Sequence, residues 1–308
     1  MIDAPSSTWF TAAPHWQWYI ILYFFLGGLA GGCYFLGTLI AIVGRAADMK
    51  LARLGFYIAF PLVLVCGFLL TIDLGRPERF WHMLIQRNTL LPMFKYWSPM
   101  SIGSWALAIF GLFTFISFVG ALADEERRWP AFDRLGIPWE RLRFTVPALL
   151  ARMFEVTGGI FGLYVAGYTG VLLAVTNRPI WSDTPLLGML FVVSAASTSA
   201  ALMILIATRR GWSMPGLRSL HRMDAWVIML EVLVLIGVVV SLGSVARAWL
   251  NAWGALLLVV MVFGLIVPLA LSWRARGRHA LDLTTASALV LAGGFLLRVV
   301  IVLSAESV

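Results

Sequence analysis

The chain has 308 residues, of which 61% are hydrophobic and 12% charged, and its net charge is +8. The charged fraction is about half that of an ordinary soluble domain, which excludes a soluble enzyme. The positive balance does not imply nucleic acid, because the basic residues sit in short stretches flanking apolar runs, as they do in membrane proteins.

Eight apolar runs are long enough to cross a hydrocarbon core of roughly 30 Å. They cover 17–43, 53–73, 98–122, 148–176, 185–207, 223–246, 250–273 and 281–304. The expected architecture is therefore all-α: a polytopic membrane protein with one integral domain over 1–308. The first 44 residues hold no Lys or Arg, so the basic start of a signal peptide is not expected.

Span one opens with His15-Trp16-Gln17-Trp18-Tyr19 and runs through Gly27-Gly28-Leu29-Ala30-Gly31-Gly32. Gly27 with Gly31 and Gly28 with Gly32 form two overlapping Gly-x-x-x-Gly pairs. In an apolar helix this pattern leaves a groove that admits another helix or a flat ligand close to the backbone. Span two returns to the starting side and closes on Thr71-Ile72-Asp73-Leu74-Gly75-Arg76-Pro77. His15 and Asp73 are therefore expected at the same depth, at one surface, with Arg76 beside them. Cys33 and Cys66 lie singly inside apolar runs, and no Cys-x-x-Cys or Cys/His cluster exists. No iron–sulfur or zinc site is expected in this protein.

The segment from Asp124 to Arg143 is a charge-dense loop. In span four, Arg152 and Glu155 are three apart and can pair on one helix face. Tyr168 stands about two turns from that span's far end, in Gly167-Tyr168-Thr169-Gly170. Glu231 is expected two turns into span six, from the side opposite the termini. It is either a hydrogen-bonded protonated carboxyl or, with Glu155, part of a proton route. Arg298, near the end of span eight, has no acid within reach on its own helix, and Asp73 offers one at a compatible depth. The four histidines, His15, His82, His221 and His279, fall outside the predicted spans, so no haem is expected.

Orientation follows from the basic residues. The links after spans one, three, five and seven hold 15 Lys and Arg, against 6 for the termini and the other links. The basic side is normally cytoplasmic, which predicts both termini outside.

His15, Asp73, Arg76 and Tyr168 all come out on the termini side. A quinone headgroup needs hydrogen-bond partners for its oxygens, and His, Tyr and Asp can exchange its protons. The segments Gln17-Trp18-Tyr19 ahead of the glycine run, Asp73-Leu-Gly-Arg-Pro-Glu-Arg-Phe-Trp-His82, and Tyr168-Thr-Gly-Val-Leu-Leu with a later Pro179-Ile180-Trp181 resemble the NrfD/PsrC family of membrane subunits. The resemblance covers essentially the whole sequence. It implies a haem-free menaquinone or ubiquinone site near the outer surface of the bacterial inner membrane. Onto this sequence it carries His15, Asp73, Arg76 and Tyr168; the groove residues Gly28 and Gly32 join them from the packing argument. It further implies a four-cluster ferredoxin-like iron–sulfur partner and a catalytic, molybdopterin-type subunit. A secondary transporter and a purely structural anchor are the alternatives, but no paired broken helices at matching positions support the first.

The charge asymmetry makes a direct prediction. A reporter fused after Val308 should be active only where it folds outside the cytoplasm; activity of a cytoplasm-only reporter at that position would reverse the assigned orientation.

Overall fold

The computed structural model describes residues 16, 18–124, 148–275 and 280–306. Among these, eight helices are long and apolar enough to cross a membrane. We number them α1 (Trp18–Val43), α2 (Met49–Asp73), α3 (Pro99–Asp124), α4 (Ala148–Ala174), α5 (Leu187–Arg209), α6 (Pro215–Ser241), α7 (residues 252–275) and α8 (Ala280–Glu306). Hydrocarbon offers no water to backbone groups, so each crossing satisfies its amides within its own helix. Helix α7 is α-helical over Ala252–Val259, π-helical over Val260–Ile266 and α-helical again over Val267–Ala275. Eight crossings put the two ends of the protein on one face, called here the termini face.

The predicted ends hold to within four residues except at α6, which starts eight residues before the predicted span. Pro215 occupies its first turn, where a missing N–H costs nothing. The polar run Arg218 to Asp224 continues the same helix ahead of the apolar stretch. Asp48, in the link between α1 and α2, accepts the Gly216 amide at 2.7 Å and the Arg45 amide at 3.1 Å. The first turn of α6 is thereby capped from a different part of the sequence. Glu231 stands sixteen residues from the start of α6, two turns beyond its polar opening run, and His221 lies inside the helix.

The helices form two rings of four. In the first, α1 packs on α2, α2 on α3, α3 on α4 and α4 on α1. In the second, α5 packs on α6 and α8, and α7 on both α6 and α8. The rings meet where α1 and α4 lie against α5 and where α1 touches α8. The contact between α1 and α4 is backbone to backbone: a Cβ on Gly31 would enter the Gly162 carbonyl, and one on Gly162 would come within 2.8 Å of the Gly31 carbonyl. Gly67, on α2, has open space where its Cβ would be.

These two positions give a matched test. Gly31→Ala should destabilise the detergent-solubilised protein by about 1–3 kcal/mol, the usual cost of overpacking. Gly67→Ala should be neutral or stabilising by up to about 1 kcal/mol, since alanine is the better helix former. Equal thermal midpoints for the two variants would show that the α1–α4 contact is not limiting.

Candidate functional site

Two clusters of polar side chains in the interior carry the candidate chemistry, one in each ring. The first lies toward the termini face between α1, α2, α3 and α4. Tyr168 of α4 is buried, and its hydroxyl donates to the Pro99 carbonyl at the start of α3, 2.8 Å away. Its ring lies on Gly103 of α3, where a side chain would collide with it. Tyr164, one turn earlier on α4, stacks on Tyr168 with ring centroids 5.9 Å apart. Tyr164 is 41% exposed on the lipid side whereas Tyr168 is 7% exposed, so the pair leads from lipid into the protein. Tyr23 of α1 and Cys66 of α2 complete the cluster beside Gly27.

Asp73 lies two turns beyond Cys66 on the same face of α2 and is exposed at the helix end. Arg76, just after it, is exposed as well. His15 lies outside the described residues. The structure thus gathers Tyr168 with Tyr23, Tyr164 and Cys66, beneath the end of α2 that carries Asp73.

The second group is a seam of charge on the faces of α5, α6 and α8. Arg298 of α8 is 0% exposed, eight residues or about 12 Å from the end of its helix. Its Nε donates to the Phe24 carbonyl at 3.4 Å, and its Nη1 donates to Ser194 Oγ at 3.0 Å and to the Gly294 carbonyl at 2.6 Å. The guanidinium also lies over the Phe191 and Phe25 rings, at 5.2 and 5.6 Å. Such ring faces attract a cation and replace part of its lost hydration. Gly28 makes the space: a Cβ there would sit 3.2 Å from Arg298 Nη2. Gly32 instead faces Ala195 and Ser199 of α5, so the glycine groove of α1 receives α5 on this side.

Below Arg298, Ser194 and Ser197 of α5 flank the Glu231 carboxyl, and Ser197 also flanks Asp224. Glu231 and Asp224 are both buried. Seven residues, or two turns, separate them on one face of α6. Ser194 accepts from Arg298, so its own hydroxyl hydrogen remains available as a donor. Among the described residues, Arg298 Nη2, Glu231 Oε2, Ser197 Oγ and Asp224 Oδ1 are buried without a hydrogen-bond partner. These four atoms fall in one seam, an unusual concentration, because buried polar groups are nearly always hydrogen-bonded. His221, one turn nearer the opposite face, is half-buried with its Nε2 also unpartnered.

The acid that acts on the Arg298 charge is therefore Glu231, whereas Asp73 is exposed at the end of α2. Glu155 stands elsewhere, on α4 in the first ring, where its backbone carbonyl accepts from Thr38 and its carboxyl faces Tyr34. Arg152 is exposed. Asp224, Ser194 and Ser197 escape the sequence reading because a span starting at 223 makes Asp224 a boundary residue. Its spacing of seven from Glu231, and the Ser-x-x-Ser of α5, are the signals that could have found them.

The sequence pattern of the family described as polysulphide reductase, NrfD, matches residues 10–308. Protein NrfD of Escherichia coli is 27% identical, covering 92% of this protein and 92% of its own length. A polysulfide reductase component of Wolinella succinogenes is 30% identical, covering 83% and 82%. A selenate reductase component of Mesobacillus selenatarsenatis is 26% identical, covering 64% and 48%.

Removing one member of a buried charge pair strands the other. Arg298→Met should cost about 3–5 kcal/mol of stability, and adding Glu231→Leu should recover part of it. A double variant as damaged as the sum of the singles, in thermal unfolding, would show that the two charges do not balance each other.

Proposed function

The protein belongs to the polysulphide reductase NrfD family, and on that premise we propose that it is the quinone-reactive membrane subunit of a reductase complex. Two of its relatives are by name parts of polysulfide and selenate reductases, which supports a role beside a catalytic subunit. In this reading an extrinsic, ferredoxin-like iron–sulfur subunit takes or gives the electrons. A molybdopterin-type subunit acts on the terminal substrate. The complex sits in the bacterial inner membrane with the termini face outward, as the 15-to-6 basic asymmetry favours.

One observation carries the proposal: a buried tyrosine reached from lipid through an exposed one, under an acidic helix end. A quinone dissolved in the bilayer approaches from the side and meets Tyr164 before Tyr168. The Tyr168 hydrogen is engaged by Pro99, so its oxygen is left as an acceptor. That arrangement suits the O–H of a quinol; a quinone oxygen would have to draw the hydrogen away from Pro99. On oxidation the quinol releases two electrons to the iron–sulfur partner and two protons, leaving quinone. Asp73, three residues ahead of Arg76, takes those protons toward the termini face, and His15 is assigned to the same step from the sequence. In the reverse direction the same groups return them.

The seam supplies a separate proton route from the opposite face, through Asp224 and Glu231. Glu155, on the other ring, is a second carboxyl opening to that face. Both routes rest on side chains of this protein; the redox metals belong to the partners.

Quinol-linked turnover of the assembled complex, read beside the partner's activity with a soluble dye, tests the assignment. Tyr168→Phe removes one hydrogen bond and should cost about 1–3 kcal/mol, or roughly 5- to 150-fold in quinol-linked rate. Asp73→Asn should be at least as harmful, and the dye activity should survive in both. Full quinol-linked turnover in Tyr168→Phe and His15→Ala together would place the quinone elsewhere.

A further inference from the structure

The link between α2 and α3 is built in a way that neither the lipid boundary nor the tyrosine cluster requires. It starts with a 3-10 helix at Pro77–Met83 and continues as a tight hairpin. There the Leu90 amide donates to the Gln86 carbonyl at 2.8 Å, the Gln86 amide to the Leu91 carbonyl at 2.9 Å, and the Met93 amide to the Leu84 carbonyl at 2.8 Å. Ile85 and Pro92 form an isolated bridge across it. The hairpin is pinned to α3, because Trp105 Nε1 donates to the Met93 carbonyl at 3.0 Å and the Lys95 amide donates to Ser101 Oγ at 3.1 Å.

Held by these bonds, this link still turns apolar side chains outward. Leu90 is 70% exposed and Tyr96 74%, and Phe80, Leu91, Phe94 and Trp97 are also exposed. Leu90 holds φ at 54°, a left-handed conformation that costs a leucine about 1–2 kcal/mol. The cross-hairpin bonds impose that strain, so the shape of the tip is specified. A lipid headgroup layer accepts exposed aromatics without demanding a shape; a protein partner does demand one.

The charges point the same way. Arg76, Arg79, Arg87 and Lys95 face a single acid, Glu78, which lies 3.8 Å from Arg79. These four are most of the six basic residues assigned to the termini face, while the other two links there carry one each. Basic residues are disfavoured in outward-facing loops, so their concentration in one link calls for a reason other than topology. Aromatic and leucine side chains ringed by arginine form the composition typical of a protein interface.

We propose that residues 74–98 are the docking surface for an acidic, partly apolar face of the extrinsic iron–sulfur subunit. The inference rests on the reading above in that such a subunit must exist. It adds where the subunit sits, and why electrons have a short way to travel. The link ends at Ser98, and the next residue, Pro99, accepts the hydrogen of Tyr168. A partner seated on the hairpin therefore touches a rigid segment bonded to the proposed quinone site.

The test uses the complex purified from membranes through a tag after Val308, washed at rising salt. Wild type should retain the iron–sulfur subunit through washes that strip it from Arg87→Glu/Lys95→Glu. Leu90→Glu/Leu91→Glu should lose it altogether, while the membrane protein itself still inserts in normal amount. A photo-crosslinking residue at position 91 keeps the question open to refutation where a variant folds poorly. Its adduct should be the iron–sulfur subunit. If wild type keeps that subunit, the variants keep it at the same salt and the adduct is only lipid, the docking surface is wrong and the quinone reading stands. If wild type brings no extrinsic subunit at all, both fall.

Discussion

A guanidinium held in the interior of a membrane protein is the constraint around which the helices are arranged. Arg298 is fully buried, and its charge cannot be discarded at any ordinary pH. Its Nε and Nη1 are held by three different helices: the Phe24 carbonyl of α1, the Ser194 hydroxyl of α5 and the Gly294 carbonyl of its own helix. To admit it, α1 must be without a side chain at Gly28, and α5 must carry small residues where the two rings meet. The Phe24 carbonyl is already committed to its helix, so Arg298 uses its second lone pair. The same side chain thus ties the rings together and places a positive charge at the head of the seam.

Consecutive residues of α1 face different chemistry. Gly27 lies against Tyr23 and Cys66 in the tyrosine cluster, whereas Gly28 lies against Ala195 and Arg298 in the charged seam. The two polar regions are therefore separated by one helix without bulky side chains at that level. Under the proposed function, a charge arriving at the tyrosine cluster would be felt by Arg298 across an apolar wall, where screening is weak. Glu231, which interacts with the Arg298 charge, would feel it next. This gives a physical means by which redox events on one side of α1 bias proton occupancy on the other, with no moving part required.

Much of the fold is legible from hydropathy, because a membrane span is a long-range signal averaged over some twenty residues. The number of helices and the shared side of the two termini follow from it. The start of α6 is not legible, since a polar helical turn capped by Asp48 from another link looks like loop in any local window. The consequence spreads: with Asp224 at a boundary, Glu231 looks isolated and shallow, and the row His221, Asp224, Glu231 on one helix face is hidden. The pairing of Arg298 is obscured for a related reason. Depth alone allows Asp73, but only the packing of α5 against both α6 and α8 brings Arg298 and Glu231 to one seam. The glycine pairs of α1 do signal close approach; which neighbour fills each groove is a property of the assembled rings.

The position of Tyr168 joins these elements. A tyrosine this deep in an apolar helix needs a hydrogen-bond partner, and it finds one in the second lone pair of a first-turn carbonyl of α3. Pro99 serves because α3 begins there, and α3 begins there because the hairpin before it is anchored through Met93 and Lys95. The hydroxyl direction of Tyr168 is thus set by a segment outside the membrane. A group that moved the hairpin by a fraction of an ångström would lengthen or tighten a 2.8 Å bond at the buried end. The partner surface and the tyrosine cluster are in this sense one mechanical unit. The residue that connects them is a proline, whose ring fixes its own φ and so passes displacement on rather than absorbing it.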